Sequence, residues 1–442
     1  MGGILLSTPP GTPTKFDVIV VGAGPAGSAA AYLLAKAGFK VVIVERGRGA
    51  GSKEVYGGKI YAAPLREVWQ DLDKKAPIHR WVTQEKMSLV YGDRITTIDY
   101  RLSKGVAFTT YLTEMAKWMA GRAVEAGAIL VDEIVVDEIV KDNGRVIGIR
   151  SGPDKLYADY VIDAEGVNRK LLEKLGLVEK INPETVALGV KEVLKVGEKN
   201  IEERFGLDKG EGLAWLLAGD VTRGIPGGGF IYTMKDTVSI GLVVHIGKAL
   251  EAAETGKLKE SLPSLVENLR LHKYFKRFWR DADVMEYGAH MTIEGGLRYM
   301  PKKLYLPGLL VVGDAAGLLL NTGYTIRGVD YAVYSGKLAA ETIIHAHDNG
   351  GPTEENMALY EKKIRESFIY KELHKHRGIE KVMSDPLFFT QIPALVNNIL
   401  AKLYEADYEE PTVMEALLES LKEENLSLSR LVFKLLSVVS KL

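Results

Sequence analysis

The chain has 442 residues, 57 basic against 58 acidic side chains, a formal net charge of −1, and 46% hydrophobic content. Such values suit two or three lobes of a globular enzyme, exclude a disordered or fibrous chain, and leave nucleic-acid binding without an electrostatic basis. Cysteine is absent, which excludes disulfides, a thiol nucleophile, Cys-ligated zinc and a Cys-held iron–sulfur cluster in this chain; redox chemistry needs an organic cofactor or a partner.

In chain order, Ile4-Leu5-Leu6 is too short and too poorly flanked for a signal peptide, so the expected compartment is the cytoplasm. Val18 to Ala35 is uncharged over eighteen residues, long enough to suggest a membrane span, but the glycines inside it favour a buried strand, a turn and a buried helix. Phe16–Val21 is a β-branched run, Gly22-Ala23-Gly24-Pro25-Ala26-Gly27 follows at once, and Ser28–Ala37 reads as a helix ending at Gly38. A second strand, Lys40–Val44, ends in Glu45-Arg46. This βαβ unit is a dinucleotide site in outline. Its first glycine permits the turn, its second admits a pyrophosphate, and its third lets helix and strand pack closely. The helix N-terminus faces the phosphates, and Glu45 stands where a carboxylate grips ribose hydroxyls.

Lys53–Ala63 shows no clean period, and Gly57-Gly58 suggests backbone passing close to something flat. Lys117–Ala126 is helical. Ala128–Val140 alternates as one strand, and Asp142-Asn143-Gly144 turns the chain into Arg145–Arg150. Tyr157–Asp163 is a buried strand closed by Ala164-Glu165-Gly166. From Val186 to Gly288 short β segments (Ala187–Val193, Gly229–Thr233, Thr237–Val244) suggest a second domain on a mixed or antiparallel sheet. Leu309–Val312 returns to a buried strand, followed by the Gly313-Asp314 turn and a helix start. Beyond Ala340 the pattern is helical, broken at Asp385-Pro386 and Ile392-Pro393; the charge run Glu251–Lys259 is a solvated helix.

Three separated segments, GAGPAG with Glu45-Arg46, the Asp163–Gly166 turn and the Gly313-Asp314 turn, resemble the signatures of the FAD-binding fold shared by relatives of p-hydroxybenzoate hydroxylase. Gly57–Tyr61, Gly228–Thr233, Asp236–Val243, Glu294-Gly295-Gly296 with Met300-Pro301, and Asn321–Gly328 further resemble the FixC/EtfC family, flavoproteins related to electron-transfer-flavoprotein:quinone oxidoreductase. That resemblance runs from Phe16 to the C-terminus. It implies an α/β architecture: a Rossmann-like FAD-binding domain of the glutathione reductase/p-hydroxybenzoate hydroxylase type (14–60, 112–180 and 296–345), a mixed or antiparallel-sheet quinone domain (61–111 and 181–295), and a helical C-terminal region (346–442).

The same resemblance implies a non-covalent FAD. Gly22, Gly24, Ala26, Gly27, Glu45 and Arg46 would hold the ADP half, with a backbone contact near Val136. Gly57, Gly58, Gly313, Asp314, Gly328 and Val329 would hold the ribityl and ring portion. Electrons would come from a bifurcating electron transfer flavoprotein (α and β subunits) and leave to a membrane quinone, menaquinone or ubiquinone. With no cysteine in this chain, an iron–sulfur relay would belong to a separate ferredoxin-like subunit of the FixX/EtfX type. No acid or nucleophile is assigned as catalytic. Two positions depart from the family's pattern: Leu112 stands where relatives carry an arginine, and the second signature reads Glu165-Gly166 rather than Asp-Gly. The competing activity within the same fold is an FAD-dependent geranylgeranyl reductase, whose aromatic–proline substrate stretch is not found. A flavin hydroxylase and an FAD-stabilised assembly subunit are further readings.

His345-x-His347 and His374-x-His376 do not share a helix face and are read as solvated rather than metal-binding. His290, just before the Glu294 turn, is a structural histidine or a group with a flavin-edge or quinone-proton role. Leu428–Leu442 places Arg430, Lys434, Ser437 and Lys441 on one stripe with apolar residues elsewhere. That suits a helix lying on a membrane with its cations at headgroup level, placing the protein at the periphery of the cytoplasmic membrane, or a helix docked on the core. Pro386–Leu400 is a second contact surface or core.

Overall fold

In the computed structural model, residues 15–53, 57–439 and 441 are described. The Ile4-Leu5-Leu6 patch, part of Lys53–Ala63, and Ser440 and Leu442 of the segment Leu428–Leu442 lie outside them. Among the described residues no helix is long and apolar enough to cross a membrane.

Two sheets carry the molecule. The first has the central order Tyr305–Leu306, Leu309–Val311, Asp154–Asp163, Lys15–Val21, Val41–Val44 and Ile129–Val131. Its middle strands are parallel, with Val18 beside Val41 and Val20 beside Ile162. Their side chains are buried on both faces, as runs such as VVIV require. The segment read as helix after the glycine turn is helical over Pro25–Lys36 and crosses the helix Val329–Asp348. They approach so closely at Gly336 that any Cβ there would fall inside the Ala26 carbonyl oxygen. Val18–Ala35 is thus a strand, a turn and a helix.

The second sheet has nine strands. It runs from Asp283–Ile293 through Val186–Lys195, Thr237–His245, Gly227–Thr233 and Glu211–Gly219 to Arg80–Tyr91, Ala107–Tyr111 and Gly57–Tyr61, with Arg94–Arg101 also paired to Arg80–Tyr91. Most neighbours are antiparallel, but Glu211–Gly219 runs parallel to Arg80–Tyr91. The strand Gly57–Tyr61 pairs with Ala107–Tyr111, so the chain crosses to this sheet before Gly57.

The single strand expected over Ala128–Val140 is not formed. Ile129–Val131 completes the parallel sheet, a loop follows with Glu133 at φ 56°, and Glu138–Asp142 starts a hairpin through the expected Asn143-Gly144 turn. The loop is pulled away because its amides are used elsewhere: Glu133 N–H donates to Gly47 O and Ile134 N–H to Glu45 O. The helix expected from Lys117 starts at Leu112 and runs to Glu125.

The C-terminal helices do not stand apart. Gln391–Tyr404 lies on the second sheet, with Asn397 Nδ2 donating to Leu89 O at 3.1 Å and Thr96 Oγ1 donating to Asn397 Oδ1 at 3.0 Å. Leu387, Phe389, Ala394 and Leu395 are buried, which makes Pro386–Leu400 mainly core. The helix Leu428–Val439 docks outside them through Leu431.

Candidate functional site

A cavity of about 760 Å³ opens at the carboxyl ends of the parallel strands and runs to the second sheet. Val21, Val44, Ala164 and Val312, which end or directly follow four neighbouring strands, line it. In open parallel sheets this is where ligands bind.

The first loop is set by sterics. Gly22 has φ +102°, and a Cβ there would overlap the Ala164 carbonyl oxygen; only glycine suits the turn. Gly24, Pro25 and Ala26 line the cavity at the N-terminus of Pro25–Lys36, so the free amides and positive end of the helix dipole face the space. Gly27 lies behind the turn rather than on the cavity: its Cβ position falls on the Gly22 carbonyl oxygen and 2.9 Å from Val20 Cγ1. Glu45 accepts from Ala23 N–H at 2.9 Å and from Gly47 N–H at 2.7 Å, so its carboxylate is fixed beside the turn. Arg46 is exposed at the rim, and Val136 lines the wall opposite, on the loop that replaced the expected strand.

The second and third loops close the middle. Asp163 is fully buried, and burial pushes its carboxyl well above the usual range, with Glu165 next in effect. Glu165 accepts from Leu171 N–H at 2.9 Å and Leu172 N–H at 3.1 Å while lining the cavity, so it caps the short helix Lys170–Lys174. Gly313 has φ +61°, its N–H donates to Ser335 Oγ at 2.9 Å, and a Cβ there would sit 2.9 Å from the Ala26 Cβ. Asp314 faces the cavity; burial raises its pKa, opposed by His290 and Arg169. Gly328 and Val329 line the cavity at the start of the twenty-residue helix Val329–Asp348, bringing a second helix N-terminus to it. Gly57 and Gly58 are on the strand Gly57–Tyr61, from which Lys59 and Ile60 form part of the wall. Leu112 also lines it, so the position departing to leucine offers a methyl surface.

Beyond Asp314 the wall changes character. Met87, Leu89, Leu216, Phe230, Phe388 and Ile392 give an apolar chamber. Phe230 and Tyr232 stack at 5.4 Å, on one face of their strand because they are two residues apart. Two buried lysines border the chamber: Lys59 bonds Glu85 at 2.6 Å and Lys191 bonds Glu286 at 2.9 Å. Sequence reading missed Lys59, Lys191, Arg169 and the chamber. Its signal was the period-two alternation of the second-sheet strands, visible only once their pairing is known.

Of the histidines, His345 and His374 are exposed, His347 meets the Phe39 ring edge at 5.1 Å, and His376 Nδ1 bonds Lys441 O at 2.8 Å. His290 lines the cavity, its Nδ1 2.7 Å from Met291 O.

The long axis, two converging helix N-termini, two loops too tight for a Cβ (at Gly22 and Gly313) and a carboxylate at the far end fit an extended dinucleotide whose ring system lies towards the apolar chamber.

Known proteins resemble the chain. The Thi4 family matches residues 12–71. A probable electron transfer flavoprotein-quinone oxidoreductase, YdiS, of Escherichia coli K12 is 36% identical over 398 residues, covering 89% of this chain and 91% of that protein. Protein FixC of Salmonella typhimurium is 36% identical over 404 residues, covering 90% and 92%. Among solved structures, a geranylgeranyl bacteriochlorophyll reductase-like protein of Thermoplasma acidophilum superposes with a TM-score of 0.70 at 21% identity, over 97% of this chain and 100% of that one. The FAD-dependent myxobacterial halogenase CndH gives 0.62 at 15% identity, over 93% and 97%. At those identities the two structures show a shared fold.

Proposed function

Because the chain belongs to the FixC family of electron transfer flavoprotein–quinone oxidoreductases, and is an FAD-dependent oxidoreductase acting in electron transfer, we propose that it takes electrons from a reduced electron transfer flavoprotein and passes them to a membrane quinone. One observation carries this reading: a single cavity joins a dinucleotide cradle to an apolar chamber walled by Met87, Leu89, Phe230 and Phe388. An apolar planar acceptor such as menaquinone or ubiquinone fits such a chamber. The division into a nucleotide lobe, a quinone lobe and a C-terminal helical cover follows from the same reading.

Gly22, Gly24, Ala26, Glu45, Arg46 and Val136 hold the ADP half, with Gly27 keeping helix and strand close enough to form the cradle. Gly57, Gly58, Gly313, Asp314, Gly328 and Val329 hold the ribityl and ring half. Bound FAD supplies the two-electron redox chemistry. Around it the chain's own groups orient and shield. The helix starting at Val329 presents its positive end, Lys59 and Lys191 place cations beside the chamber, and the aromatic wall excludes water. No side chain acts as a nucleophile.

The donor is an α/β electron transfer flavoprotein of the bifurcating kind. With no cysteine here, a ferredoxin-like subunit of the FixX/EtfX type carries any cluster between them. The acceptor lives in the bilayer, which gives the last helix a role. Of its stripe, Lys434 bonds Asp385 at 2.6 Å while Arg430 stays exposed. Beside them the helix also presents apolar groups, with Phe433 72% and Leu436 64% exposed. It sits over the segment whose Phe388, Phe389 and Ile392 line the chamber. We therefore place the protein at the periphery of the cytoplasmic membrane, with this face against the lipid.

The test is turnover with reduced electron transfer flavoprotein and its ferredoxin-like partner as donors, comparing a menaquinone with a geranylgeranyl lipid. Quinol formation with an unchanged prenyl chain is expected. Saturation of prenyl double bonds without quinol formation would establish the reductase instead.

A further inference from the structure

Glu294 lies between two hollows. On one side is the long cavity, which it lines with His290, Asp314 and Asn321. On the other is a cleft of about 20 Å³, which it also lines, together with His376, Arg377 and Glu380. Arg377 is exposed and Glu380 partly so, so the cleft reaches the surface. A hollow of that size holds about one water molecule.

The carboxylate is held only loosely. Its two oxygens accept from Asn321 Nδ2 at 3.2 Å each, and among the described residues no cation stands within ion-pair distance. Its main chain is fixed, since Glu294 N–H donates to Thr185 O at 2.8 Å. The titratable groups around it are His290 on the preceding strand, Tyr299 on the following turn, and Asp314 across the cavity. Tyr324 and Arg327 come from the loop carrying Asn321, with Arg327 held by Asp330 and Glu372. Glu184 and His245 lie towards Thr185, and His376, Arg377 and Glu380 lie on the cleft side. Burial pushes the Glu294 carboxyl up to about 7, with Asn321 acting the other way. It therefore gains and loses a proton near neutrality at little cost.

We propose that Glu294 is the proton-transfer group that connects solvent in the His376–Arg377–Glu380 cleft to the cavity during quinone reduction. This rests on the quinone oxidoreductase reading. A quinone becomes a quinol by gaining two electrons and two protons, one new O–H bond forming at each carbonyl oxygen. The electrons come from the reduced electron transfer flavoprotein, which is oxidised, and the protons from water. The Glu294 carboxyl releases its proton into the cavity and is reprotonated from the cleft, once for each O–H formed. The surrounding chamber is apolar, so a relay at its wall is needed to bring protons in.

The experiment uses holoprotein, wild type, Glu294→Gln and Glu294→Asp, reduced anaerobically and mixed with a soluble menaquinone analogue across the neutral pH range. Wild-type reoxidation should slow as pH rises through about 7. Glu294→Gln should keep its FAD, lose about 100-fold in rate at neutral pH and lose the pH break. Glu294→Asp should recover part of the rate, with the break displaced. In the reduced-minus-oxidised infrared spectrum, the wild type should show a carboxylic acid C=O band that Glu294→Gln lacks. Glu294→Gln with wild-type rates and pH profile, or with the band retained, overturns the inference. If Glu294→Gln loses FAD, Glu294→Asp decides, and an undisplaced break overturns it. A wild type that quinone does not reoxidise overturns the quinone reading as well, which separates the two failures.

Discussion

Two glycines three residues apart behave as different kinds of residue. Gly24 has φ −71°, a conformation open to any side chain, and lines the cavity. Gly24→Val should leave the fold intact and abolish flavin content, read as flavin absorbance per protein beside an unchanged circular dichroism spectrum. Gly27 has no room for a Cβ against Gly22 and Val20, so Gly27→Val should cost about 1–3 kcal/mol or more and lower the melting temperature whether or not FAD is present. The close packing at Gly27 and the place of Gly24 on the cavity were legible in the GAGPAG spacing because chain geometry alone dictates them. The weight on Glu294 was not legible: a glutamate before two glycines does not reveal that it will stand between two hollows. Its pKa of about 7 against an ordinary 4.5 means the folded state binds an extra proton across that window. Stability is therefore greatest at the acid end and is lost as pH rises towards about 7. Glu294→Gln carries no such penalty, so its melting temperature should exceed that of the wild type increasingly as pH rises, by the equivalent of about 1–3 kcal/mol at the alkaline end. Equal melting curves at all pH would show the carboxyl to be ordinarily solvated.

At the scale of elements, sequence patterns served well where one force dominated and poorly where a tertiary bond competed. The βαβ unit and the Asn143-Gly144 hairpin form as their residues dictate. The alternation over Ala128–Val140 was overruled by the bonds that Glu133 and Ile134 make to the Glu45–Gly47 loop. The strand Arg80–Tyr91 was hidden because its core face begins with Arg80. That side chain is fully buried, and its guanidinium is satisfied by the carbonyls of Met234, Glu211 and Lys235. No hydropathy period anticipates a charge there. The last helix shows the same competition, since Asp385 draws Lys434 inward and leaves Phe433 and Leu436 outside. Phe433→Ser with Leu436→Ser should reduce sedimentation with anionic liposomes several-fold while leaving the melting temperature within about 0.5 kcal/mol of the wild type. Unchanged liposome binding would assign that face to a protein partner.

Over the whole molecule, three stretches of chain far apart in sequence meet at one cavity, and that convergence was legible because each carries its own glycine-bearing turn. The apolar chamber was not, because its wall is assembled from strands of the second sheet and from Phe388 and Ile392 far down the chain. The mechanism depends on that junction of cradle and chamber. Its most direct measurement is anaerobic stopped-flow mixing of the reduced, FAD-loaded protein with a soluble menaquinone analogue, with flavin absorbance followed in time. Reoxidation that is fast, saturates with quinone and falls when Phe230 is replaced by a bulkier Trp is the expected result. Reoxidation no faster than in quinone-free buffer would contradict the account.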